Sequence, residues 1–208
     1  MKVLNLYAGI GGNRKLWEDV EVTAVEWDEK IASIYQDFFP DDTVIVADAH
    51  QFLLDHFKEY DFIWSSPPCP THSRARFWGL KNKDPVYPNM DLYQEIIFLN
   101  NHYDGKWCIE NVIGYYKPLI TPQELGRHYF WTNFNIREMR VAKTVHDGIE
   151  EMQERKMFDL SGYSGIDKRT ILRNCVEPEI GYVVLESVKG NTQKTLVESI
   201  DSISKRSE

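Results

Sequence analysis

Five short apolar runs in the first part of the chain alternate with stretches patterned for helix, and this alternation leaves few folds open. Residues 3–7, 20–27, 43–46, 61–65 and 107–110 read as strands. Residues 14–18, 29–39, 51–57 and 91–101 read as helices between them. Ile31, Ile34, Tyr35 and Phe38 repeat at the three-and-four spacing of one helix face, and Pro40-Asp41-Asp42 breaks that helix. Such alternation predicts an α/β fold with a mostly parallel sheet and helices on both faces. At 208 residues the chain has the length of one domain with a small appendage. A core of that size needs no staples.

Two stretches interrupt the rhythm. Residues 67–88 read as a loop and hold Pro67, Pro68, Pro70, Pro85 and Pro88, more than half of the nine prolines. A loop this long suits a lid or a binding element. Residues 135–169 are charged, with a helix expected over 146–156, and read as a small inserted subdomain. The tail after Asn191 is polar and expected to fray.

Charge and cysteine usage exclude several function classes. Lys and Arg number 24 against 32 Asp and Glu, a net charge of −8, so the chain does not coat nucleic acid as a basic protein does. An enzyme with a locally basic cleft remains open. Cys69, Cys108 and Cys175 form no CxxC pair, which argues against a zinc ribbon or a disulfide framework and fits a reducing cytoplasm. No ligand cluster implies a metal. The opening MKVLNLYAGIGG is too short and too glycine-rich for a signal peptide, and no apolar run is long enough to span a membrane.

Three motifs carry chemistry. The first is Tyr7-Ala8-Gly9-Ile10-Gly11-Gly12, a glycine turn after the first strand that lets a ligand approach the backbone. Glu26 at the end of the second strand suits ribose hydroxyls, Trp27 beside it suits an adenine ring, and Asp48 after the third suits an adenine amino group. Singly each acid reads as a solvated strand end; together they mark the carboxyl ends of successive strands, where such sheets bind ligands. No GxxxxGK[ST] is present, which argues against a P-loop. The second motif is Ser66-Pro67-Pro68-Cys69-Pro70-Thr71-His72-Ser73, where prolines hold a cysteine with an accessible sulfur, as for a nucleophile. A small buried hydrophobe is the competing reading of Cys69, and it is the one adopted for Cys108 and Cys175. The third is Glu110-Asn111-Val112 at the end of the fifth strand. A carboxyl beside a thiolate in a dry site tends to keep its proton and can donate to a ring nitrogen; a solvated carboxylate is the alternative.

In this order, and followed by Arg127-His128-Tyr129-Phe130-Trp131-Thr132-Asn133, the motifs resemble those of the carbon-5 cytosine DNA methyltransferases, which depend on S-adenosylmethionine. The resemblance runs from Lys2 to about Asn135 and resumes over about 168–186. The compact size and the RHYFWTN stretch are similar to phage and prophage members, with restriction-modification or protection of phage DNA as contexts. The resemblance implies a Rossmann-like methyltransferase fold with a small target-recognition insert. It implies that Tyr7, Ala8, Gly9, Ile10, Gly11 and Gly12 wrap the methionine end of the cofactor. Glu26, Trp27, Asp48 and Ala49 would hold its nucleoside, with Pro67 and Leu92 packing near it. Pro68 and Cys69 match the family's Pro-Cys pair, with Cys69 as nucleophile. Glu110 and Asn111 match Glu-Asn, with Glu110 on the cytosine ring nitrogen and exocyclic amine. The implied product is S-adenosylhomocysteine, and the implied partner is duplex DNA with a short recognition site. The target base would be flipped out, and the enzyme would be cytoplasmic. Ser73 matches a phosphate-contacting serine. Arg74, Arg76, Lys81 and Lys83, interleaved with Phe77 and Trp78, suit a strand backbone and an orphaned base.

The chain departs from the pattern in several places. Asn5 stands where the family often has Asp, and Pro70 follows Pro-Cys where Gln is usual. The family's Arg-x-Arg is reduced to Arg127, with His128 taking the second arginine's place near the base. The last motif is read at Arg173-Asn174-Cys175-Val176-Glu177-Pro178, so that Asn174 and Val176 line the methionine side, with Gly190-Asn191-Thr192 as the other candidate. The recognition insert spans only 136–170, with 171–190 returning to the catalytic unit of residues 1–135 and 191–208 as a tail. Arg137, Arg140, Lys143, Arg155, Lys156, Lys168, Arg169 and Arg173 make this half basic, and Gly162-Tyr163-Ser164-Gly165 suits a loop entering a groove. A transfer-RNA cytosine-5 methyltransferase, a weak DNA-binding partner subunit, and a split enzyme whose second chain reads the target are the competing readings.

Overall fold

The computed structural model describes residues 1–77, 84–139 and 148–190. Among these residues seven strands form one sheet: β1 (Lys2–Leu6), β2 (Glu21–Glu26), β3 (Thr43–Val46), β4 (Phe62–Ser65), β5 (Lys106–Val112), β6 (Gln123–Leu125) and β7 (His128–Thr132). Their order is β3-β2-β1-β4-β5-β7-β6. The first five are parallel, and β7 runs antiparallel to both β5 and β6. Among the described residues six α-helices accompany them: α1 (Glu29–Phe38), α2 (Ala49–His56), α3 (Asp91–His102), α4 (Ile149–Lys156), α5 (Lys168–Asn174) and α6 (Pro178–Lys189). The expected α/β architecture with a mostly parallel sheet is therefore the fold of this chain. The strand order reverses between β1 and β4, the position where open sheets of this kind leave a crevice at their carboxyl edge.

Strand alternation divides the core into two layers. Leu4, Leu6, Ile63, Trp107, Ile109 and Trp131 face one way and are covered by Leu53 of α2 and by Leu92, Ile96 and Leu99 of α3. Val3, Phe62, Trp64, Cys108 and Phe130 face the other way and are covered by Ile180, Val184 and Leu185 of α6. Both faces of the parallel strands are buried, which explains why they read as nearly continuous apolar runs. The helices start where carboxylates can cap them: Asp28 accepts from the Lys30 and Ile31 amides, and Asp48 from the Gln51 amide. α6 has Pro178 in its first turn and stops at Gly190, whose φ is 69°.

One expected helix is not formed. Residues 12–16 make successive turns, with the Arg14 amide donating to Gly11 and the Trp17 amide to Arg14. Their side chains are drawn in three directions. The Asn13 amide group donates to Asn5 Oδ1 at 2.8 Å, Arg14 makes a two-pronged pair with buried Asp42, and the Trp17 indole donates to the Gly181 carbonyl at 2.9 Å. A regular helix cannot present all three. α6 packs here instead, so closely that a Cβ on Gly181 would overlap the Asn13 carbonyl.

Residues 148–175 pack against α1. Met152, Phe158, Leu160 and Leu172 share a cluster with Ile34, Tyr35 and Phe39, and Phe158 meets Phe38 edge to face at 4.8 Å. Arg155 and Lys156, read from sequence as part of a basic surface, turn instead to Glu177, and Lys156 is buried with its Nζ donating to the Cys175 carbonyl. The loop expected to enter a groove is held to α1 here: the Tyr163 hydroxyl donates to Asp37 at 2.9 Å. The helix expected over 146–156 begins at Ile149 among the described residues. Residues 146–147 lie outside them, as do Arg140, Lys143, Asn191 and the tail. Among the described residues no helix is long and apolar enough to cross a membrane.

Candidate active site

A cleft of about 600 Å³ opens at the carboxyl edge of β1, β2, β4 and β5. That size suits a ligand with a nucleoside and a side chain. One wall is the loop after β1. Tyr7, Gly9 and Gly11 all take left-handed backbone angles, with φ of 54°, 56° and 86°. For tyrosine this conformation is uncommon and marks a backbone held by its surroundings. The Ala8 amide donates to the Val25 carbonyl at 3.0 Å, and the Gly9 amide donates to Glu26 Oε2 at 2.9 Å. Glu26 Oε1 accepts from the Asp28 amide, so the carboxylate is fixed between loop and helix start.

The glycines do different work. A Cβ on Gly9 would meet nothing within 4 Å, which leaves the loop open toward the cleft. A Cβ on Gly12 would lie 2.5 Å from the Val176 carbonyl and 2.9 Å from the Cys175 side chain. The loop and the 174–176 segment therefore form one continuous wall, with Asn174 and Val176 lining the cleft. Gly11 does not line it; its missing side chain makes room for the Tyr35 and Phe39 rings.

One end of the cleft is acidic and aromatic. Trp27 is 75% exposed at the rim, and Asp48 and Ala49 line the cleft at the start of α2. Leu92 is a correction: it is buried in the core beneath α3, and its neighbour Asp91 lines the cleft instead. A helix presents consecutive residues about a quarter-turn apart, so a one-residue offset moves a side chain from the cleft to the core.

The opposite wall carries the cysteine. Pro67, Pro68 and Cys69 line the cleft directly after β4. The His72 and Ser73 amides both donate to the Cys69 carbonyl, at 2.9 and 3.0 Å, and the Asn111 side chain donates to the Pro67 carbonyl at 2.9 Å. Partial burial, and then the nearby Glu110 charge, push the Cys69 thiol above its ordinary value. Burial, with Glu110 adding to it, also raises Cys108, and burial outweighs the nearby Lys156 charge to raise Cys175, but those thiols sit in the core. Glu110 is buried at the end of β5, in hydrogen-bond contact with His128 Nδ1. The β5–β7 register explains the pairing, because it sets Val112 opposite His128 and Glu110 opposite Phe130. His128 lines the cleft and Arg127 does not: Arg127 is exposed in the β6–β7 turn after Gly126.

The described residues among those expected to touch nucleic acid do not line the cleft. Ser73 bridges to Gly114, Arg74 donates to the Gly114 carbonyl at 3.0 Å, and Arg76 donates to the Asp84 carbonyl at 3.2 Å. Beside them the exposed Phe77 ring meets Tyr115 at 4.9 Å. Arg137 lies where its neighbours Ile136 and Met139 pack near α6, and Lys168 and Arg169 start α5. Trp78, Lys81 and Lys83 lie outside the described residues. Sequence reading missed Asn13, His50, Asp91 and Arg173 among the lining residues. His50 was findable, since it stands two residues after Asp48 in the first turn of the same helix.

The C-5 cytosine-specific DNA methylase family matches residues 1–119. Among solved structures, a DNMT2 variant from Spodoptera frugiperda is 28% identical, with 55% of this chain and 36% of that chain covered and a TM-score of 0.41. A protein described as a DNA modification methyltransferase encoded within an Escherichia coli prophage is 19% identical over 56% of this chain and 33% of that one, with a TM-score of 0.36. The methyltransferase EhMeth of Entamoeba histolytica is 15% identical over 73% and 59%, with a TM-score of 0.43. The match to the DNMT2 structure thus spans about a third of that protein's length. No curated protein gives a match of comparable strength. With more than half of its residues matched, this chain belongs to the C-5 cytosine-specific DNA methylase family.

Proposed function

We propose that the chain transfers a methyl group from S-adenosylmethionine to carbon 5 of a flipped-out cytosine in duplex DNA. The observation that carries this reading is the cleft itself. One cavity joins a left-handed glycine loop and an anchored Glu26 at one end to a cysteine, a buried glutamate and a histidine at the other.

The residues present fit the cofactor. Glu26, held at Gly9, retains lone pairs for ribose hydroxyls; Trp27 offers an exposed ring; and Asp48 caps α2 through Oδ1, with Oδ2 unpartnered among the described residues. The open space at Gly9 leaves room for the methionine portion, with Asn174 and Val176 opposite. When bound, S-adenosylmethionine supplies an electrophilic sulfonium methyl.

The chain's own residues do the rest. Carbon 5 of cytosine is a weak nucleophile until a thiolate adds to carbon 6. Cys69 forms that bond as its thiol proton passes to the Glu110 carboxylate, whose charge, after burial, holds the proton on sulfur beforehand. Glu110 hydrogen-bonds ring nitrogen 3 in its protonated form and steadies the charge that develops there. His128, against Glu110, fixes the carboxyl's orientation and stands where a basic residue meets the base. The carbon-5 proton then passes to solvent water, its bonding pair forms the carbon 5–carbon 6 double bond, and the sulfur leaves carbon 6 and takes a proton back from Glu110, which restores the ring and the enzyme. The DNA lies along the rim at Ser73, Arg74, Arg76, Phe77 and Tyr115, with residues 136–170 as a short recognition insert that adds Arg137, Lys168 and Arg169.

Duplex DNA carrying 5-fluorocytosine tests this reading. Fluorine does not leave carbon 5 as a proton does, so the Cys69 adduct persists and shifts the protein on a denaturing gel. With S-adenosylmethionine present, the wild type forms the adduct and Cys69→Ser does not. No adduct with the wild type, or one that survives the substitution, overturns the proposal.

A further inference from the structure

The floor of the cleft holds a cluster that the proposed chemistry leaves unused. Glu95, on α3, is 1% exposed, yet it receives groups from three other elements. The Tyr7 hydroxyl at the end of β1 donates to Oε1 at 2.8 Å, and the Ser65 hydroxyl at the end of β4 donates to Oε2 at 2.6 Å. His50 Nδ1, in the first turn of α2, lies 3.0 Å from Oε1. A carboxylate buried this deeply needs compensating partners. His50 is the member of the trio able to carry a positive charge near neutral pH. The Glu95 hydrogen bond raises its titration above the ordinary value; burial works against this, and Asp91 and Asp48 add to the rise.

His50 also lines the cleft, beside Asp48 and Asp91. Its Nε2 has no protein partner among the described residues. The same Glu95 holds the hydroxyl of Tyr7, whose left-handed backbone opens the glycine loop. One buried carboxylate therefore ties the loop to the nucleoside end of the cleft.

We propose that His50 contacts the nucleoside of the cofactor through its Nε2–H, and that Glu95 is the positioning residue that holds His50 and Tyr7 for this contact. The inference rests on reading the cleft as an S-adenosylmethionine site. With Nδ1–H committed to Glu95, the neutral ring presents a lone pair at Nε2 and the imidazolium presents a donor. Adenine ring nitrogens accept hydrogen bonds, so the imidazolium form binds the nucleoside better. Affinity then falls as pH rises through the His50 titration. The charged and titratable groups facing His50 are Glu95 and Asp91 from α3, Asp48 from the start of α2 and Tyr7 from β1; the histidine is the type that titrates near neutrality.

Calorimetry with 5′-methylthioadenosine tests this, because that nucleoside has no group of its own titrating between about pH 6 and about pH 9. S-adenosylhomocysteine is measured alongside, and the His50 ring is titrated by NMR. The expected result is an affinity for 5′-methylthioadenosine that falls about tenfold across the NMR-observed titration, the size of one charge-assisted hydrogen bond. His50→Gln, folded by circular dichroism, is expected to bind weakly with no pH dependence. Glu95→Gln is expected to move the histidine titration down. Wild-type binding that ignores pH, or a pH dependence that survives His50→Gln, overturns the proposal while leaving the cofactor reading intact. Failure of both ligands to bind at any pH overturns the proposal and the cofactor reading together.

Discussion

Gly12→Ala adds a single methyl group, and the structure says what it would strike. The new carbon would lie 2.5 Å from the Val176 carbonyl oxygen, 2.9 Å from the Cys175 side chain and 3.2 Å from the Val176 amide. Two of these are backbone atoms, which cannot swing aside as a long side chain can. Relief requires the glycine loop and the 174–176 segment to separate by several tenths of an ångström. Overpacking of this kind costs about 2 kcal/mol. For a domain of this size that lowers the thermal midpoint by roughly 4–8 °C. Gly162→Ala is the matched control: nothing lies within 4 Å of its added carbon, and the substitution stiffens the unfolded chain, so stability stays level or rises slightly. Thermal and urea unfolding of the three proteins, with calorimetry against S-adenosylhomocysteine, checks both halves. Gly12→Ala is expected to lose stability and cofactor affinity together, because one displaced wall serves both. A Gly12→Ala protein as stable and as tight-binding as the wild type would show that the two segments are not in contact.

Other predictions concern charge and reactivity. The Cys69 thiol, raised by burial and by Glu110, should react with iodoacetamide along a pH curve whose midpoint lies above the ordinary thiol value of about 8.5. Glu110→Gln removes the neighbouring negative charge, so the midpoint should move down; no movement would mean that the two groups do not interact. Cys108 and Cys175, both buried, should stay unlabelled until the protein unfolds, as read by mass spectrometry of digested peptides. Asp42 is buried and accepts from both Arg14 and Tyr35, so Asp42→Asn, which strands the guanidinium, should cost about 3 kcal/mol in urea unfolding, and a loss under about 1 kcal/mol would contradict the pairing. His128→Ala should slow methyl transfer tenfold or more, roughly the cost of one lost polar contact at a developing charge, with S-adenosylhomocysteine affinity unchanged.

The first five strands were legible because both of their faces are buried, which leaves dense apolar runs with clear breaks. The capped helices α1 and α2 were legible for a similar reason, since Asp28 and Asp48 stand at their starts. Residues 14–18 misled because their local pattern suits a helix, whereas Asn13 is claimed by Asn5 of β1, and Arg14 and Trp17 by Asp42 and Gly181 farther along the chain. Much of the cleft was legible because parallel strands deliver their carboxyl ends to one edge, so Glu26, Asp48, Cys69 and Glu110 had to converge if each followed a strand. The His128–Glu110 contact depends on the antiparallel β7 register, which no local pattern encodes. Arg127 and Leu92 were each one residue from a lining position, an offset that sequence spacing does not resolve. Arg155 and Lys156 looked like surface charge until Glu177, some twenty residues on, drew them inward.

The central claim is that Cys69 and Glu110 act on cytosine within the cofactor cleft. The most direct measurement supplies S-adenosylmethionine with a labelled methyl group to the wild type and to Cys69→Ala, with duplex DNA, single-stranded DNA and transfer RNA as acceptors. The account predicts label in duplex DNA, recovered as 5-methylcytosine at one short site and absent with Cys69→Ala. Label confined to transfer RNA would contradict the assigned substrate, and label that persists without Cys69, or no label in any acceptor, would contradict the chemistry itself.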